Sequence, residues 1–207
     1  MKGLLIKDYY MTVRYCRTML LVVIAFLAVS LVNESNWFFS IYPCLLCGMI
    51  PSTLLAYDER SRWNEYAAAL PYTRAQLVGE KYLIGLILVA AATAVSLAAM
   101  AVRSLTGHSG SMPGLLTVGG FMMGVGLTGS ALCLPWMFRF GVEKGRMMYY
   151  AVVALFFGGS AVFAKVTADS GITEIPAGAG LAVLAAAAAL YAASCALSVA
   201  LYRKREL

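Results

Sequence analysis

Charge is scarce in this sequence. Only 13% of its 207 residues are Asp, Glu, Lys or Arg, about half of what a soluble domain carries. Histidine occurs once, at His108. That excludes a multi-histidine metal centre, and there is no His-Glu-x-x-His stretch or carboxylate pair inside an apolar run to build hydrolytic chemistry on. His108 sits between Gly107 and Ser109 and reads as a solvated loop residue. No Gly-xxxx-Gly-Lys-Ser/Thr segment is present, and the stretch from Gly141 to Arg146 is not one, so the chain cannot bind and hydrolyse ATP by that route. The five cysteines, Cys16, Cys44, Cys47, Cys133 and Cys195, are odd in number and mostly embedded in apolar runs. That is not a disulfide framework. Cys44 and Cys47 have a CxxC spacing, but they follow Pro43 within an apolar run and have no second ligand pair, so small packing residues are the expectation. No catalytic, cofactor-binding or metal site is expected.

What is abundant is apolar surface, at 61% of residues. One soluble core of this size could not bury it. Lipid removes the problem, and the expected fold is an all-α, polytopic membrane protein. A helix crosses the hydrocarbon with about 20 apolar residues, and six segments qualify: approximately 18–32, 37–57, 82–102, 115–138, 147–164 and 176–202. The apolar run nearest the N-terminus starts only after a long charged lead and is followed by no clear small-x-small cleavage site, and is expected to be a retained first span rather than a signal peptide. Residues 1–17 are too polar to span. Leu5, Tyr9, Thr12/Val13 and Cys16 recur at helical spacing, and they suggest an amphipathic helix lying at the interface.

Orientation follows from counting. With the N-terminus inside, fourteen of the sixteen basic residues fall on the cytoplasmic side and only Arg103 and Lys165 fall outside. This is the asymmetry that the positive-inside rule describes, and it places both termini in the cytoplasm. The net charge of +6 therefore points to anionic headgroups and not to nucleic acid. Every ionisable residue falls at a span end or in a loop, which disfavours a proton-driven pump.

The fourth span carries Gly120 and Gly124, a small-xxx-small spacing that lets helix backbones approach closely in lipid. That face could pack within the chain or across a dimer. The largest cytoplasmic loop, 58–81, holds Asp58, Glu59, Glu65 and Glu80. Within it Trp63, Tyr66/Ala67 and Leu70 share a helical face, and Pro71 ends that helix. Thr73-Arg-Ala-Gln76 matches a capping box opening the next helix. An aromatic face on a short helix suits either a groove on a cytosolic partner or the headgroup layer.

The pattern Tyr57-Asp58-Glu59-xxx-Trp63-xx-Tyr66-xxx-Leu70-Pro71-xx-Arg74-xxx-Val78-xx-Lys81-Tyr82 resembles the first cytoplasmic loop of small ABC-2 type permeases, and the opening Leu4-Leu5-Ile6-Lys7-Asp8 resembles that family's N-terminal helix. The chain is similar in style to permease subunits of Gram-positive exporters for amphipathic peptides, such as the phenol-soluble modulin exporters. The resemblance implies a non-enzymatic half-transporter in a bacterial cell membrane. A second permease chain, identical or paralogous, would complete the pathway, and cytosolic ABC ATPase subunits would hold the ATP-Mg. It further implies a coupling helix between spans two and three, with Asp58, Glu59, Trp63, Tyr66, Leu70, Pro71 and Arg74 as its functional positions. Trp63 and Leu70 would fill the ATPase groove, Asp58 and Glu59 would hold the loop to nearby basic groups, and residues 139–146 would make a smaller contact. The rival readings are a transporter or channel without an ATPase, and a membrane scaffold.

Overall fold

The computed structural model describes residues 2–32, 37–105, 115–145 and 178–203, with positions 147, 150, 151, 153–155, 158, 159 and 165. Among the described residues every element is α-helical. The helices are α1 (Lys2–Tyr15), α2 (Arg17–Val32), α3 (Trp37–Arg60), α4 (Trp63–Ala68), α5 (Arg74–Leu105), α6 (Leu115–Phe140) and α7 (Ala179–Arg203). Four of them, α3, α5, α6 and α7, are long and apolar enough to cross a membrane. The fifth expected span, 147–164, lies largely outside the described residues, as do the 33–36 turn, most of the loop at 103–113 with His108, and the 166–175 segment.

The first span is too short by itself. At 1.5 Å per residue the 16 residues of α2 reach about 24 Å, against a hydrocarbon thickness of about 30 Å. α1 meets it at Cys16 with a 72° bend, and the pair counts as a fifth candidate span if taken together. α5 is too long. Its 32 residues extend about 48 Å. Its apolar run begins after Lys81, so a span with the expected bounds 82–102 would leave the charged residues of its first two turns, Arg74, Glu80 and Lys81, beyond the hydrocarbon.

α3 and α6 are buried along most of their length, whereas α5 and α7 keep wide apolar faces exposed, for example through Ile87, Val95, Leu190 and Leu197. The centre of the bundle is therefore the α3–α6 pair. Their backbones touch where Gly48 meets the carbonyl of Gly126, and a Cβ on Gly126 would come within 2.8 Å of the Cys44 carbonyl. Lipid gives apolar side chains no reason to leave it, so close backbone packing of this kind supplies the attraction between helices. Pro43 and Pro51 interrupt the hydrogen-bond ladder of α3, and the Ser130 hydroxyl of α6 donates to the Gly48 carbonyl in that stretch.

The glycines of α6 answer the question left by their spacing. A Cβ on Gly120 would stand 2.6 Å from the Gly180 carbonyl, and one on Gly124 would stand 2.9 Å from Val183 Cγ1. Both belong to α7, so this face packs inside the chain.

One expectation needs correction. The buried stripe of α1 is Leu4, Asp8 and Thr12, continued by Cys16 at the bend in an i, i+4 series, while Tyr9 and Val13 are exposed with Ile6, Tyr10 and Tyr15. The helix is amphipathic, but it turns a carboxylate inward and its aromatics outward, because a cation waits inside.

Candidate functional site

That cation is Lys81. Its ammonium lies 2.6 Å from Asp8 Oδ2 and 2.6 Å from Asp58 Oδ2. Lys7 Nζ approaches Asp58 Oδ1 at 2.9 Å and Asp8 Oδ1 at 3.2 Å. Two lysines and two aspartates thus alternate in a closed ring built from α1, the end of α3 and the start of α5. Three of its members are dry, since Asp8, Asp58 and Lys81 keep 0%, 2% and 4% of their surface, while the Lys7 side chain keeps 21%. Removing such charges from water costs several kcal/mol each, which only mutual pairing offsets. The three helices are therefore held in one arrangement or the ring opens.

Glu80, which precedes Lys81 on α5, is buried as well, at 2% exposure. Asp58 is followed by Glu59, whose Oε2 accepts the Val142 N–H at 2.7 Å and so ties the loop after α6 to the end of α3. That loop turns at Gly141 with φ 81°, a left-handed conformation that glycine adopts without steric cost.

Beyond α3 the chain reverses at Arg62, whose φ of 54° is unusual for a residue with a side chain. It enters α4 with no side-chain cap. Lys7 sits over the Trp63 ring, 4.3 Å from its centroid, a cation–π contact that fastens α4 to the ion ring. Trp63 is thus half-buried against its own chain, and Tyr66, packed beside it at 5.4 Å, is the aromatic that faces outward at 61% exposure. Leu70 is half-buried and follows the helix, which ends at Ala68; Pro71 is exposed. The side chain of Glu65 lies outside the described residues.

The capping box forms as its sequence indicates. The Gln76 N–H donates to Thr73 Oγ1 at 3.3 Å, and the Thr73 N–H donates to Gln76 Oε1 at 3.1 Å. Arg74 Nη1, in the first turn of α5, donates to the Tyr202 carbonyl near the end of α7 at 3.4 Å. Just past Lys81, the Tyr82 hydroxyl stands 2.7 Å from both Ser194 and Ser198 of α7, and Ser194 donates to the Ala131 carbonyl of α6 at 2.6 Å. This hydroxyl chain joins α5, α6 and α7 immediately below the ring.

Residues 3–203 match the family described as ABC-2 family transporter protein. The chain belongs to the ABC-2 transporter family. No curated protein and no solved structure matches it. An ABC-2 family chain is a membrane transport component, and membership implies association with ABC ATPases and a bilayer. Four of the seven positions proposed from the loop pattern converge here. Asp58 closes the ring, Glu59 holds the next loop, Trp63 lies under Lys7 and Arg74 reaches α7. Tyr66 and Pro71 are exposed and Leu70 is half-buried, and none of the three joins these contacts among the described residues. In this ABC-2 chain, sequence reasoning missed Lys7, Asp8, Lys81 and the Tyr82 hydroxyl chain. The available signal was that Lys81 and Tyr82 already stood in the loop pattern, and Lys7 and Asp8 in the N-terminal one.

Proposed function

We propose that this chain is the membrane-spanning permease subunit of an ATP-driven exporter. It crosses the bilayer six times with both termini in the cytoplasm and pairs with a second permease chain, identical or paralogous. Separate cytosolic ATPases, which hold the ATP-Mg, dock beneath it. α4 is the coupling helix. The observation that carries this reading is the placement of α4: its outer aromatic, Tyr66, is exposed, while its inner one, Trp63, is clamped by Lys7 to a buried ring spanning α1, α3 and α5. A push on Tyr66 and Leu70 is delivered to three helices at once.

The cargo is an amphipathic or hydrophobic peptide. What supports this is the resemblance to amphipathic-peptide exporters together with a bundle whose long faces are apolar. ATPase stimulation of the reconstituted complex by a panel of such peptides, with lipids and small amphiphiles as competitors, separates the cargo classes.

Tyr66→Asp tests the coupling. The side chain is largely exposed, so the permease folds and inserts normally. A central aromatic anchor at an interface contributes about 2 kcal/mol or more, so ATPase binding weakens by roughly thirtyfold and export falls with it. If the variant retains full ATPase affinity and full export, α4 is not the docking element.

A further inference from the structure

Glu80 is the member of the ion cluster that the coupling reading does not use. It is 2% exposed, and its Oε1 accepts no hydrogen bond. The groups that bear on it are Lys7 and Asp8 of α1, Lys81 beside it on α5, and Asp58 of α3, which reaches it through Lys81. The next residue, Tyr82, turns its hydroxyl away from the cluster to Ser194 and Ser198 of α7. Three buried carboxyls thus share the site with two ammoniums, one buried at Lys81 and one partly exposed at Lys7. The two aspartates already balance the two lysines in the closed ring. An ionised Glu80 would add an unpaired buried charge, which a protein interior avoids by keeping the group neutral. The neighbouring Asp8 carboxyl acts in the same direction, since a second negative charge beside Glu80 disfavours its ionised form.

We propose that Glu80 is a proton-binding site that keeps α1 docked: protonated, it completes a neutral cluster, and deprotonated, it opens the Lys7–Asp8–Asp58–Lys81 ring. Burial, the largest cause, and the nearby Asp8 carboxyl raise Glu80 to about 8, against the pull of Lys81. The sign follows. A carboxyl whose folded value lies above its unfolded value, about 4.3, stabilises the fold fully at low pH. That contribution is lost as pH rises through about 8. Alkaline conditions therefore release α1. The inference rests on the ion cluster alone and holds whether or not the chain couples to an ATPase; with the proposed topology the proton comes from the cytoplasm.

The test uses the full chain purified in detergent. Cys16, buried where α1 meets α2, reports docking through its rate of maleimide labelling. Comparison with Glu80→Gln, which keeps the same thiol, cancels the ordinary rise of thiol reactivity with pH. At about pH 6 the two proteins label equally; at about pH 9 the wild type labels at least tenfold faster, and its unfolding midpoint has dropped while that of Glu80→Gln has not. Equal labelling ratios and equal midpoint slopes across this range overturn the proposal. A third measurement needs no variant: the infrared carbonyl band of a buried protonated carboxyl is present at neutral pH and vanishes above about pH 9, and its absence at neutral pH overturns the proposal as well.

Discussion

Lys81 shows how much one side chain can hold. Its ammonium bonds Asp8 across 73 positions of chain and also reaches Asp58, at 4% exposure. Lys81→Met keeps the aliphatic volume and removes the charge, leaving two buried aspartates to share Lys7. Breaking a buried pair on one side costs about 3–5 kcal/mol, so the expected result is a loss of that order in denaturant or thermal unfolding in detergent. The double change Asp8→Asn with Lys81→Met restores the balance between one lysine and one aspartate. It should cost less than the sum of the single changes, because the residues share a network. A strictly additive pair would show that the ring carries no coupling.

The same ring shows where a single sequence stops being informative. Lys7, Asp8, Asp58 and Lys81 were visible as charges at span ends, and Asp58 was expected to meet a basic group. Which basic group could not be read, since the partners are separated by 51 and 73 positions and periodicity is local. For α1 the apolar spacing found Thr12 and Cys16 of the buried stripe but put Leu5 and Tyr9 where Leu4 and Asp8 are buried. Asp8 is inward because its partners are inward, and tertiary context overrode the local pattern. The Thr73–Gln76 box was legible in full because a cap is made and satisfied within four residues.

Among the elements, α6 and α7 depend on each other most. Thr117, Gly120 and Gly124 of α6 lie against Gly180 and Val183 of α7, and a Cβ on Gly180 would strike the backbone of Thr117. The obstacle is main chain, which cannot swing aside as a side-chain tip can. Gly180→Ala should therefore push the helices apart and destabilise by about 1–3 kcal/mol. Gly178, two residues earlier, has nothing within 4 Å of an added Cβ, and Gly178→Ala should stay within about 0.5 kcal/mol of wild type. The pair is read by folded yield and by midpoint in detergent, and similar midpoints would mean that α6 and α7 do not pack this closely. Glycine spacing in α6 revealed a close-packing face, but the identity of α7 as the partner required the fold.

At the scale of the whole molecule, the charges that build the site also orient it. The ring, the Trp63 clamp and the Arg74 contact gather at one end of the bundle, where Lys7, Arg74 and Lys81 belong to the basic-rich side. In the proposed topology, which the positive-inside rule motivates, that end is the cytoplasmic one. The four spanning helices and the bent α1–α2 pair become six spans when residues 147–164 cross as their hydropathy suggests, and an even count returns the C-terminus to the side of the N-terminus. A cysteine substituted at Tyr66 should then resist a membrane-impermeant thiol reagent in intact cells and react in inverted vesicles, whereas one at His108 should do the reverse. A cysteine substituted at Glu206 should follow Tyr66. If Glu206 behaves like His108 the span count is odd, and if Tyr66 is labelled from outside the platform cannot meet an ATPase. The first failure would leave the docking face in place and remove one span; the second would remove the partner on which the transport reading depends.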